Sequence, residues 1–264
     1  GQSLPEQQPS VGSSGIEISV STASRLPEFA GRLTSRLPRT VDARVRRLAV
    51  ASLVGQTLLV VTGGAVRLTA SGLGCPTWPR CTDTSLVNTV EMGIHGFIEF
   101  GNRLLTFALA AIAVLMLVYL WNLRKERRDL FVPAVLVLVG TLLQGLIGGI
   151  SVRVKLDPSV VGVHFAISVV LVVLASVLVY RARFGRRGER FASRGLGILT
   201  HVTSLFVAIT VVVGILTTGS GPHAGDAASD RSGLDPELLQ HLHSWPAYPP
   251  LALPGGAVVG ADRP

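Results

Sequence analysis

From residue 48 onward the chain alternates long apolar runs with short polar breaks that carry arginine. Five runs reach the roughly 20 residues needed to cross the hydrocarbon of a bilayer as a helix. They are about Leu48 to Val66, Ile94 to Leu123, Leu130 to Val152, Val160 to Tyr180 and Leu196 to Thr217. The pattern predicts an all-α integral membrane protein, with a four-helix transmembrane bundle over 45–182 and the start of a second bundle over 195–243. Residues 1–38, rich in Ser, Pro, Gln and Gly, show no apolar period and read as a disordered tail. They lack the apolar core of a cleavable signal peptide. Residues 244–264 hold five prolines in 21 residues, and nothing there reads as a span.

Composition agrees with this reading and excludes its main rival. The chain is 48% hydrophobic and 15% charged, with a net charge of +8. A nucleic-acid binder of such basicity would interleave its cations with aromatics on a folded face, whereas here they stand in blocks between apolar runs. Those blocks orient the chain. Arg39, Arg44, Arg46 and Arg47 precede the first run; Arg124, Lys125, Arg127 and Arg128 separate the second from the third; Arg181, Arg183, Arg186, Arg187, Arg190 and Arg194 separate the fourth from the fifth. The alternate breaks hold only Arg80, then Arg153 and Lys155, then Arg231. The N-terminus is therefore expected in the cytoplasm of a multi-pass plasma-membrane protein, and the loop "GLGCPTWPRC", residues 72–81, on the outer face.

That loop contains the two cysteines of the chain, Cys75 and Cys81. On an oxidising face a thiol pair tends toward a disulfide, and Pro76 and Pro79 stiffen the segment to be closed. A structural staple and a redox-active or metal-binding pair are both open readings, although a metal site would normally need two further ligands.

Ionisable groups at membrane depth usually face a bundle interior. "HGFIEFGNRL" opens the second run with His95, Glu99, Asn102 and Arg103, the first three spaced along one helical face. His164 enters the fourth run from the same side, at what residue counting gives as the same depth. Two imidazoles at one level of a bundle suit the axial positions of a haem iron; helix-packing histidines hydrogen-bonded to backbone or to Glu99 are the alternative. His201 reads as an interfacial or packing residue, and His223 falls in an outer loop. His241 and His243 follow in "LLQHLHS", where a sixth span is expected to start. An internal repeat supports that expectation: "VVTGGAVRLTASG" and "VVVGILTTGSG" both end in Thr-X-Ser-Gly, 149 residues apart. The offset predicts that His243 takes in the second half the place of His95 in the first. Halves of four spans each would share one orientation, related by an axis along the membrane normal.

These motifs resemble the haem A synthase family, on "GGAVRLTASGLGCPTWPRC", "HGFIEFGNRL", "QGLIGG", "VGVHFAIS" and "TTGSGPHAGD", in a flavour similar to its actinobacterial members. The resemblance covers about residues 45–243. It implies eight spans in two four-helix bundles. It further implies an oxidoreductase acting on a CH or CH2 group, which oxidises a ring methyl of haem O to a formyl group and so serves terminal oxidase assembly. The first bundle, with Glu99 and His164, would receive haem O, and the second would hold a haem b cofactor between two histidines. Cys75 and Cys81 would form the family's outer-loop disulfide. Glu99 would accept a proton or stabilise positive character at the methyl. His164, with His95 as partner and Asn102 and Arg103 nearby, would hold the substrate iron, while His243 or His241 would ligate haem b. The implied partners are haem O, the enzyme that supplies it and membrane lipid; a homo-oligomer is left open.

Two departures stand out. Many relatives carry His where this chain has Asn102, and after His243 the family pattern stops, as in a chain truncated at the start of its sixth span. The alternative function is a haem-binding electron-transfer protein without synthase chemistry. A transporter built on the repeat is disfavoured, because the polar groups cluster near one surface rather than at the midplane.

Overall fold

Asp42 starts the first helix by accepting the backbone N–H groups of Arg44 (3.0 Å) and Val45 (3.1 Å), which satisfies donors that a helix start leaves orphaned. From this cap α1 runs over Ala43–Leu68. A short 3-10 turn, Val90–Met92, leads into α2 (Gly93–Leu120), and another, Trp121–Leu123, leaves it. α3 spans Arg128–Arg153. α4 (Pro158–Phe184) and α6 (Pro236–Ser244) begin alike, with an Asp cap and a proline in the first turn. Between them lies α5 (Arg194–Ser220). The computed structural model describes residues 37–185 and 194–249. The tail expected over 1–38 lies outside the described residues but for 37 and 38, and so does the proline-rich end from residue 250.

Five helices are long and apolar enough to cross a membrane among the described residues, and the chain is an all-helical integral membrane protein. Four of the five helices outrun the apolar runs that announced them, while α2 gives up the last three residues of its run to the 3-10 turn. Hydropathy marks the hydrocarbon depth, whereas the caps and the arginine-bearing turns continue the backbone hydrogen bonding into the interface. The expected sixth span is represented by α6, nine residues long and so about 14 Å at 1.5 Å per residue, followed by a 3-10 turn at Trp245–Ala247.

From Pro38 onward the chain forms one unit. α1 packs on α2 and α4, and α3 packs on the same two helices, which closes an antiparallel ring of four. α5 lies on α4 outside the ring and carries α6. The hydrophobic core gathers Val45, Ala49, Ala113, Met116, Leu120, Leu130, Ala134, Val137, Leu178 and Ala182. These residues come from the start of α1 and α3 and the end of α2 and α4, which is one end of the ring, away from the Cys75 loop.

Towards the loop the interior turns polar. Gln56 Nε2 donates to Thr141 Oγ1 (3.0 Å), and Gln144 Nε2 donates to the His164 carbonyl (2.9 Å) and to Ser168 Oγ. Such bonds join helices where burial alone gives little drive, because lipid is as apolar as the core. Val45, Ala49, Ser52 and Gln56 form the buried stripe of α1. Two turns beyond Gln56 on the same face stands Gly63, and a Cβ there would meet nothing within 4 Å. The ring is therefore solid at one end and open inside at the other.

Truncating the solid end should show its weight. Leu130 is fully buried and Phe107 is 73% exposed on the lipid side. Leu130→Ala should destabilise by about 2–5 kcal/mol and Phe107→Ala by under about 1 kcal/mol. Thermal unfolding of the two variants in the same detergent checks the contrast.

Candidate functional site

The Cys75 loop closes the open end. Cys75 and Cys81 are joined in a disulfide, with Cα atoms 4.5 Å apart and no exposed surface. Arg103 of α2 fastens this loop to the helix. Its guanidinium donates to the carbonyls of Cys75 (3.0 Å), Thr77 (3.1 Å) and Arg80 (3.2 Å). It also donates twice to Glu99 Oε1, once through Nε at 3.1 Å. The other Glu99 oxygen accepts the Cys75 N–H at 2.5 Å. Glu99 is thus 94% buried yet satisfied on both oxygens, as a buried charge must be. On the far side of the loop the Trp78 ring lies flat on α3: a Cβ at Gly149 would fall 2.3 Å from it. Arg153 donates to the Trp78 carbonyl (3.0 Å) and stands 5.8 Å from the ring centre. The disulfide is a staple within a lid, and the lid is fixed to α2 and α3 at separate points.

Beneath the lid, contacts set the levels of the four helices. Thr62 of α1 donates to Asn102 Oδ1 of α2 (2.6 Å). One turn deeper, Thr106 of α2 approaches Gly145 of α3, and one turn back towards the lid a Cβ at Gly148 of α3 would lie 3.4 Å from the His164 ring of α4. Gly63, Asn102, Gly148 and His164 therefore occupy one level, with Gly148 making room for the imidazole and Gly63 facing open space. The His164 ring has no hydrogen-bond partner, and its Nδ1 is buried without one.

His95 does not share this level, contrary to the expectation of two imidazoles at one depth. It lies seven residues nearer the lid than Asn102, about 10 Å along the axis, and its Nδ1 bonds Ser71 Oγ (2.8 Å), which in turn bonds Thr69 Oγ1 (2.7 Å). Counting from the start of each apolar run misplaced it because α2 begins two residues before His95 and α4 six residues before His164. Asn102, which is a poor iron ligand, is the α2 residue that faces His164's level.

The repeat is also corrected in register. His243 Nδ1 donates to the Thr210 carbonyl of α5 (2.9 Å), and the ring lies against Gly214, where a Cβ would be 2.7 Å away. The 149-residue offset equates Thr210 with position 61, the neighbour of the Thr62 that bonds Asn102. His243 therefore matches Asn102 rather than His95. The connection after α5 is shorter than the one after α1, which must accommodate the disulfide lid, so the offset falls to 141 by the time α6 is reached. His241 is exposed, which distinguishes the two candidates. His201 bonds the Gly197 carbonyl of its own helix (2.6 Å), and His223 is exposed in a loop.

Sequence reasoning missed Ser71, Gln144 and Ser168 as partners of the histidines, because hydroxyls and amides in apolar runs carry no period. It could have found Gly148 and Gly214, since each sits where an imidazole from the next helix must fit. Among the described residues no group of three or more His, Cys, Asp or Glu converges as a metal site.

The model of the cytochrome oxidase assembly protein family COX15-CtaA matches residues 46–229. Relatives carry the name heme A synthase. The protein of Halalkalibacterium halodurans is 29% identical over 131 residues, 48% of this chain and 43% of the relative. That of an Exiguobacterium species is 27% identical over 162 residues, 61% of this chain and 53% of the relative. That of Listeria welshimeri is 25% identical over 164 residues, 62% and 53% respectively. No solved structure gives a significant match. The chain spans about half the length of these curated relatives. With the family match running from the first turn of α1 through the loop after α5, the lid, the open end of the ring and the repeat fall within it, and the chain belongs to the COX15-CtaA family of cytochrome oxidase assembly proteins.

Proposed function

We propose that this chain acts as a haem A synthase, an oxidoreductase that converts a ring methyl of haem O to a formyl group by successive oxidations. The observation that carries the reading is the His164 imidazole, free of protein hydrogen bonds and facing the unfilled level under a fixed lid. A metal held by protein alone needs three or four converging ligands; an iron that brings four porphyrin nitrogens needs one or two. His164 supplies one such ligand to haem O. Asn102 of α2 stands at the same level, while His95, exposed and two turns nearer the lid, is bonded to Ser71.

Glu99 is the residue placed to take a proton or to balance positive character as the methyl is oxidised. Arg103 and the Cys75 N–H hold its carboxylate in position and give it counter-charge. The redox chemistry itself belongs to iron and porphyrin, and the lid keeps bulk water from the reacting edge. In the second half one residue, His243, has the chemistry to hold a haem b cofactor. A carbonyl can only accept, so His243 Nδ1 carries the proton and Nε2 presents a lone pair. His243 would hold the iron from α6, and haem b when bound would supply one-electron transfer; His241 points elsewhere. The basic blocks lie at the solid end of the ring, which supports a cytoplasmic N-terminus and an outer-face lid. The enzyme that delivers haem O, and lipid around the ring, are the partners this reading brings.

Two substitutions test it in a host that makes haem O but not haem A. Glu99→Gln should lower haem A in extracted membranes by at least ~100-fold while haem O stays bound; full activity would remove Glu99 from the chemistry. His164→Ala should abolish the haem O absorption signature of the first bundle and leave the fold, followed by circular dichroism, intact. Unmodified haem throughout, with the wild-type chain, would favour the electron-transfer protein instead.

A further inference from the structure

The buried stripe of α1 does not stop at Gly63. One turn further, on the same face, stands Arg67, the last cation before the helix ends. Its surroundings are unlike those of the other arginines at this end. Arg103 is neutralised by Glu99 and holds three carbonyls, and Arg153 is held on Trp78. Arg67 reaches across to Thr218 Oγ1 of α5. Its Nε is buried with no partner, and the two ion pairs among the described residues, Arg103 with Glu99 and Arg127 with Asp129, leave it without a carboxylate.

A cation at a helix C-terminus is favoured by the dipole alone, and near an interface it would normally extend into water. Arg67 instead lies on the inward stripe, with a donor sealed from solvent. A planar guanidinium with an unused donor and no counter-charge is complementary to a carboxylate. Gly63 marks the level of His164, and Arg67 is four residues beyond it towards the lid, about 6 Å along the axis. A flat ligand whose metal meets His164 would carry its edge past Gly63 towards Arg67.

We propose that Arg67 is the anchor for a carboxylate on the edge of the porphyrin substrate, with Thr218 holding the guanidinium in place from α5. This rests on the reading of the first bundle as a haem-receiving site, and it adds what sets the in-plane rotation of the substrate. An iron–histidine bond leaves the macrocycle free to turn about the bond; a second point at the edge fixes which methyl lies beneath Glu99.

The test is an optical titration of the purified full chain in detergent with ferric protoporphyrin IX and, separately, with its dimethyl ester, which lacks both negative charges. The wild-type chain should bind the free acid about tenfold more tightly than the ester. Arg67→Gln should lose that preference by weakening the free acid alone, Arg67→Lys should keep part of it, and Thr218→Val, which removes only the protein partner, should retain most of it. Equal binding of acid and ester by the wild-type chain, or an unchanged preference in Arg67→Gln, overturns the proposal while leaving the haem site standing. If Thr218→Val matches Arg67→Gln, the arginine is a tether between α1 and α5, which also overturns it. Failure of both porphyrins to bind overturns this proposal and the haem reading together, whereas acid-selective binding without haem A formation defeats only the synthase chemistry.

Discussion

The loop end of this protein depends on one guanidinium. Arg103 gives hydrogen bonds to three backbone carbonyls of the disulfide lid and to Glu99, whose other oxygen takes the Cys75 N–H. Desolvating such a pair is expensive, and the expense is offset only when every remaining donor and lone pair is used. Here they are. A neutral side chain could pack in the same volume, but it could not hold a loop with so little apolar surface in register over a helix end. The disulfide keeps the loop short, and Arg103 decides where it sits.

The interior follows from what the lid makes possible. A four-helix ring in lipid is held by close packing and by hydrogen bonds between helices rather than by escape from water. The basic end supplies the first, through a run of Ala, Leu, Val and Met on all four helices. The lid end supplies the second, through Gln56 with Thr141 and Gln144 with Ser168. With those two ties made, the space beside Gly63 can remain open without the helices separating.

Much of this was legible before the structure. Apolar runs gave the number of spans, because hydrocarbon thickness imposes length directly. Cys75, Cys81 and Glu99 stood out because polar and reactive groups are rare in such runs. Depth was harder to read: His95 looked level with His164 because residue counts ignore where each helix begins. The repeat located α6 but misassigned His243, since an offset measured on α1 and α5 cannot register a connection that differs in length. Arg67 passed unnoticed as one more cation near a helix end, because its inward direction depends on the stripe begun by Val45 about six turns earlier.

The uneven filling of the ring has a mechanical side. A bundle packed solid at its base and joined by single hydrogen bonds above it behaves as four prongs on a common root. Displacement is small near Leu130 and grows toward the lid, so the compliance of the bundle is concentrated at and above the level of His164. The lid is hydrogen-bonded to the prongs of α2 and α3 and runs on directly from the end of α1, whereas among the described residues no hydrogen bond joins it to α4. The prong least restrained by the lid is therefore α4, which is braced instead from outside the ring by α5.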